Sequence, residues 1–176
     1  FIKTRLRRHI VMIKFFDLEK QDKSLHKSIL RDIKKLFKRG DFILGKEVLK
    51  FEKNFAKFCE SNYAISCANG TDALTIALKS LNLEKNSEVI IPAMTYCSTA
   101  FSVINANLKP VLVDTEPFKP TIDASKIKKK ITSKTKVIMP VHLYGSAANL
   151  NAIKKIIKKN KIFLIDDCAQ AHGTID

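Results

Sequence analysis

The sequence predicts an α/β fold, a mainly parallel sheet with helices on both faces. Five short apolar runs rich in Val and Ile carry this expectation: Tyr63–Cys67, Glu88–Ile91, Pro110–Val113, Lys136–Val141 and Ile162–Asp166. Stretches of helical periodicity separate them, near Thr71–Leu81, Ser98–Asn105, Ala124–Ile131 and Asn149–Lys159. Continuously apolar strands are the mark of strands buried on both faces, and parallel strands need long, usually helical, crossovers. The alternation of the two patterns is therefore that of a layered α/β domain.

The elements follow in order. Residues 1–11 contain Lys3, Arg5, Arg7 and Arg8, no acidic residue and no clear period, which suggests an extension ahead of a start at Met12. A helical segment is expected over residues 12–60. Its first helix places Leu25, Ile29, Ile33 and Leu36 at helical spacing, with Ser24 as a cap and Gly40 as a stop. Its second opens after Gly45 and puts Val48, Phe51, Phe55 and Phe58 on one face. The α/β domain then occupies residues 61–176. The sequence ends at Asp176, just past the fifth run, so a fragment is expected.

With 176 residues, 45% of them hydrophobic, the chain can bury one substantial core. No apolar run approaches the roughly 20 residues that span a bilayer. The short apolar stretch after Arg8 is interrupted by Lys14 and lacks a small-residue cleavage site, so a cytoplasmic location is expected. Cys59, Cys67, Cys97 and Cys168 are widely spaced and form no C-x-x-C pair; reduced, mostly buried thiols are expected. The net charge of +15 raises the question of nucleic acid. The lysines, however, fall mainly on the solvent faces of helices, as in Lys126–Lys130 and Lys154–Lys159, with few interleaved aromatics and no nucleic-acid-binding signature. An anionic substrate remains compatible with that surface.

In open α/β sheets, ligands bind beyond the carboxyl ends of the strands. Asn69-Gly70-Thr71-Asp72 opens a helix directly from the first run. Its free amides and dipole suit an anion, Gly70 permits close approach, and Thr71 adds a hydroxyl; an ordinary cap by Thr71 or Asp72 fits equally. Neither G-x-x-x-x-G-K-[ST] nor G-x-G-x-x-G occurs, so triphosphate and dinucleotide readings lose their main support. Asp167 follows an apolar strand. A carboxylate there needs a cation or good donors, such as a protonated pyridine nitrogen, although a cap or a metal ligand is also open. Tyr96 offers either a flat face to a ring or a core-packing side chain. Cys97, Cys168, His142 and His172 gather at the same edge, but at spacings unlike those of zinc sites, so no metal is expected.

Several ordered motifs together resemble a known family. These are Phe15-Phe16-Asp17-Leu18, the run Phe42–Val48, Asn69-Gly70-Thr71-Asp72-Ala73-Leu74, the run Glu88–Tyr96, Lys109-Pro110-Val111, the run Pro140–Gly145, and the run Asp166–Gly173. The chain resembles, over residues 12–176, the DegT/DnrJ/EryC1/StrS aminotransferases, enzymes of pyridoxal 5'-phosphate (PLP) fold type I that make amino sugars.

The resemblance implies a truncated PLP fold type I large domain, with the C-terminal domain absent. It implies that Gly70, Thr71 and the amide of Asp72 hold the cofactor phosphate, that Tyr96 stacks on the ring, that Asp167 pairs with the ring nitrogen, and that Gln170 contacts the 3-oxygen. The lysine that family members use to form a Schiff base would lie beyond Asp176, so the chain alone is expected to be inactive. The implied reaction moves an amino group, from glutamate as the expected donor, onto a nucleotide-linked keto-sugar. A homodimer is implied when the protein is full length. A sugar dehydratase of the same family and a non-catalytic regulatory relative are the alternatives.

Overall fold

A computed structural model describes residues 23–174. The proposed extension at 1–11, the Phe15-Phe16-Asp17-Leu18 motif and the Asp176 terminus lie outside the described residues. The chain divides into two units, residues 1–51 and 52–176.

In the first unit, α1 (Lys23–Arg39) carries the predicted periodicity but starts one residue before Ser24, which therefore lies inside the helix. Leu25, Ile29 and Ile33 are exposed, and only Leu36 is half-buried. Gly40 stops the helix as expected: its φ of +73° is left-handed, and its amide closes back onto the Leu36 carbonyl. Arg39 then pairs with Asp41 and, through two short bonds, with Glu47 at the start of α2 (Lys46–Phe58). Gly45 is obligatory in this turn, because an added Cβ would sit 2.5 Å from the Asp41 carbonyl oxygen.

The second unit holds the sheet. Its strands are β1 (Glu88–Pro92), β2 (Lys109–Val113), β3 (Thr135–Ile138) and β4 (Phe163–Leu164), all parallel, in the order β2-β1-β3-β4. Two helices, α3 (Gly70–Ser80) and α4 (Cys97–Asn105), cover one face; α5 (Ala124–Ile127) and α6 (Leu150–Asn160) cover the other. Successive strand residues feed opposite layers. Val89, Ile91, Val137 and Met139 pack with Leu78 and Val103 on one side. Ile90, Val113 and Ile138 pack with Ile127, Ile153 and Ile156 on the other. Continuous Val/Ile runs are what such two-sided burial requires. Pro110 is tolerated because β2 is an edge strand.

Three expectations need correction. Tyr63–Cys67 forms no regular secondary structure and is not a strand: Tyr63 and Ile65 are more than four-fifths exposed. The Ser66 amide donates to the Glu52 carboxylate instead of to a neighbouring strand. Without a partner to satisfy its backbone, an apolar run is not enough to make a strand. The helix expected over Ala124–Ile131 is only α5 followed by a 3₁₀ turn, Lys128–Lys130. Asp123 caps α5, and the three lysines end it. On α2, Val48 and Phe55 are half-buried, whereas Phe51 and Phe58 are exposed, so the buried stripe passes through Ala56 rather than along all four predicted positions. Among the described residues, no helix is long and apolar enough to cross a membrane.

Candidate active site

The chain leaves β1 towards β2 on one side, and β3 returns on the other side of β1, so the strand order reverses at β1. Connections that diverge from such a point leave a crevice at the carboxyl ends of the strands. The segments after β1, β3 and β4 meet there.

At the start of α3, Asn69 is extended (φ −163°, ψ 173°) and caps the helix. Its Oδ1 accepts from the Asp72 amide at 2.9 Å, while its Nδ2 donates to Asp72 Oδ2. The cap is thus Asn69, not Thr71 or Asp72, and the Asp72 amide is already engaged by it. Gly70 and Thr71 supply the remaining first-turn amides, which have no acceptor within a helix. A Cβ built on Gly70 would find no atom within 4 Å, so the space over this helix end is open. The Thr71 hydroxyl donates across to Ser98 Oγ, 2.7 Å away in the first turn of α4.

Tyr96 is the N-cap residue of α4. Its carbonyl accepts from the Thr99 amide, and its side chain makes no cap and is 69% exposed. That exposure removes the core-packing alternative. Beside it, the hydroxyls of Thr95 and Thr99 lie 2.9 Å apart, and the buried Thr99 hydroxyl donates to Asp167 Oδ2 at 3.3 Å.

Asp167 is 8% exposed. Its backbone is pinned past the end of β3: its amide donates to the Pro140 carbonyl, and its carbonyl accepts from the His142 amide. Its Oδ1 accepts from the Ala169 amide at 3.2 Å. Both bonds to the carboxylate are long. Among the described residues no basic side chain forms an ion pair with it. A buried carboxylate so sparsely served has room for one good cationic donor.

Gln170 Oε1 accepts from the Tyr144 amide at 2.8 Å, which leaves Nε2 as the free, donating end. Tyr144 reaches this position with left-handed backbone (φ 56°) in the 3₁₀ turn Leu143–Gly145 that follows β3. His142 is buried. Its Nδ1 accepts from the Ala148 amide, fixing the loop that carries Tyr144, and its Nε2 faces Asp166 at 3.8 Å.

All four cysteines are exposed, against the expectation of burial. They occupy a helix end (Cys59), an extended segment (Cys67), a first helical turn (Cys97) and a loop (Cys168), where the core does not reach. Among the described residues, no group of three or more His, Cys, Asp or Glu side chains is placed to hold a metal. A concavity of about 1150 Å³ along α5 and α6 is lined by Asp123, Lys128, Lys155 and Lys159 among others and includes none of the residues above. It is open to solvent and of mixed charge, so the convergent geometry at the strand ends is the better guide to chemistry.

Residues 23–176 match the sequence profile of the DegT/DnrJ/EryC1/StrS aminotransferase family. The chain belongs to this family. Among family relatives, dTDP-3-amino-3,6-dideoxy-alpha-D-galactopyranose transaminase of Aneurinibacillus thermoaerophilus is 41% identical over 93% of this chain and 45% of its own. UDP-2-acetamido-2-deoxy-3-oxo-D-glucuronate aminotransferase of Pseudomonas aeruginosa is 41% identical over 92% of this chain and 45% of its own. Among solved structures, NtdA of Bacillus subtilis with its cofactor PMP bound superimposes with a TM-score of 0.90 at 32% identity, covering 97% of this chain and 39% of that one. DesV of S. venezuelae superimposes with a TM-score of 0.87 at 34% identity, over 92% and 43%. The chain therefore spans less than half the length of these relatives and carries the α/β architecture of the family's PLP fold type I large domain.

The strand-end reading named Gly70, Thr71, Tyr96 and Asp167 as candidates, and the resemblance added the Asp72 amide and Gln170. Both missed Asn69, Thr95, Ser98 and Thr99. The available signal was the run of hydroxyl residues, Thr95, Ser98 and Thr99, at the head of a helix that is otherwise largely apolar.

Proposed function

We propose that the whole protein is a pyridoxal-phosphate-dependent aminotransferase acting on a nucleotide-linked keto-sugar, with glutamate as amino donor and a homodimer as the working form. One observation carries the reading: the first turn of α4 ties an anion-suited helix end, through Thr71 and Ser98, to a buried carboxylate, through Thr99 and Asp167, and the exposed Tyr96 side chain stands at the head of the same turn. An anion seat, an exposed aromatic side chain and a deep carboxylate at one helix end suit the phosphate, ring and ring nitrogen of the cofactor. The names of the relatives, transaminases and aminotransferases of nucleotide sugars, support the same reading.

The residues present fit the group. The first-turn amides of Gly70 and Thr71 would receive the phosphate, with no side chain at Gly70 to hold it off. Tyr96 would cover one face of the ring. Asp167 would accept from the protonated ring nitrogen, and Gln170 Nε2 would donate to the 3-oxygen. When bound, pyridoxal phosphate supplies the electron sink for proton loss next to the amino nitrogen. The protein's part is to orient the ring and hold the proton on its nitrogen.

In the whole protein, Asp167→Asn should weaken the binding of pyridoxamine phosphate by about tenfold or more, as expected for loss of a charge-assisted bond. It should also abolish glutamate-dependent change in the absorbance of the bound cofactor. Unchanged affinity and unchanged spectra in Asp167→Asn would refute the assignment.

A further inference from the structure

We propose that Thr99 is a positioning residue that sets the orientation of Asp167 towards the cofactor ring through a polarised chain beginning at Thr95. The proposal rests on the cofactor reading above and extends it to residues that do not touch the cofactor.

The geometry fixes the direction of the chain. A carboxylate can only accept, so at the 3.3 Å contact the Thr99 hydroxyl must donate to Asp167 Oδ2. A hydroxyl has one proton. Having given it to Asp167, Thr99 can only accept from its other neighbour, and the Thr95 hydroxyl at 2.9 Å is therefore the donor there. The result is a single run of dipoles, Thr95 to Thr99 to Asp167, each bond strengthening the next. Thr99 is 1% exposed, so water does not compete for its hydroxyl.

Position in the fold explains why this matters. Asp167 belongs to the segment after β4, whereas Thr99 sits on α4, which follows β1. The other bond to the Asp167 carboxylate comes from Ala169, two residues along the same loop. Thr99 is thus the tie that locks the carboxylate plane relative to the helix that presents both Tyr96 and Ser98, the partner of Thr71. A loop-local bond alone would leave the carboxylate free to turn with its loop.

The test uses pyridoxamine phosphate as the probe on the whole protein. Thr99→Val keeps the shape and removes the hydroxyl; Thr99→Ser keeps the hydroxyl. We expect Thr99→Val to lose about tenfold in affinity, the scale of one bond to a charged group, and Thr99→Ser to recover most of that loss. The pH midpoint of the bound cofactor's absorbance should fall in Thr99→Val, because a loosened Asp167 holds the ring proton less well, and should return in Thr99→Ser. A purely structural role would move melting temperature without moving that midpoint. Wild-type affinity and midpoint in Thr99→Val would overturn the proposal. So would a Thr99→Ser variant as impaired as Thr99→Val, which would mean that shape rather than the hydroxyl matters. If Asp167→Asn itself binds the probe as wild type does, the parent reading fails, and this one with it. If Asp167→Asn is impaired while Thr99→Val is not, only the role of Thr99 is lost.

Discussion

Cys168 follows Asp166 and Asp167 directly, and that neighbourhood sets its reactivity. Its thiol is pushed above the ordinary cysteine value, first by partial burial of the sulfur and then by the two carboxylates, with a smaller contribution from Cys59. The thiolate is the reacting form. Although all four cysteines are exposed, Cys168 should therefore be alkylated more slowly by iodoacetamide at mildly alkaline pH than Cys59, Cys67 or Cys97. A mass-spectrometric time course checks this, with denaturant as the control that should bring the four rates together. Asp166→Asn should speed Cys168 alone; a Cys168 that reacts as fast as the rest in the native state would contradict the electrostatic account. The same segment shows what a sequence exposes at residue scale. Asp167 stood out because an acidic residue after an apolar strand needs a reason to be there, whereas Gln170 was singled out only through the resemblance. Thr99 was not legible, because its partner is 68 positions away and nothing local marks one hydroxyl among several.

Strand β1 illustrates how an element is held at the end opposite the site. Glu88 opens it and is nearly buried. Thr132, ahead of β3, and Thr135, the first residue of β3, donate to its carboxylate, and Lys109, at the start of β2, pairs with it at 3.4 Å. The Thr132 hydrogen bond is the largest influence on its carboxyl, and together with Lys109 and Thr135 it outweighs burial and holds the group below the ordinary glutamate value of 4.5. A lowered folded-state value means that this stabilisation is complete above the ordinary value and is lost as pH falls through the lowered one. Lys109 is largely exposed, so its share is discounted. Glu88→Gln should cost about 1–2 kcal/mol at neutral pH, mainly from the weakened threonine bonds. Urea melts across pH should show the two proteins converging as pH falls below the ordinary glutamate value and through the lowered one. A gap that persists undiminished in acid would mean that shape, not charge, is responsible. Four of the five expected strands were legible because each carries a continuous apolar stretch and finds a hydrogen-bonded neighbour. The run at Tyr63–Cys67 has the composition of a strand, but composition cannot report whether a neighbour exists. The boundaries of α5 were misread for a related reason: Lys128–Lys130 continues the helical pattern of charge, while its backbone tightens into a 3₁₀ turn.

At the scale of the whole molecule, the outstanding feature is apolar surface. In the second unit, Ile65, Ile76, Phe101, Ile104 and Leu112 are each more than half exposed, and Phe118 is fully so. Isolated exposed apolar residues are ordinary on soluble proteins, but contiguous patches mark surfaces that bind something. Phe101 and Ile104 lie on one helix at i,i+3 spacing, which places them side by side. Leu112 stands on β2, at the sheet edge, where among the described residues no further strand covers it. The chain spans 45% of the length of the transaminase and aminotransferase relatives, so the proposal of a two-subunit enzyme carries a consequence for the chain on its own. Produced alone, the 176 residues should bind a hydrophobic dye such as ANS strongly and self-associate as concentration rises. They should also give no turnover of a nucleotide keto-sugar with glutamate. The whole protein should bind little dye and elute as a discrete oligomer. Substituting Phe101 and Ile104 by Lys should reduce dye binding and self-association of the isolated chain while leaving the far-ultraviolet spectrum unchanged, because both side chains are exposed and neither belongs to the packed layers. A monomeric, dye-silent isolated chain would show instead that this surface is tolerated in water, and the two-subunit proposal would lose its physical support.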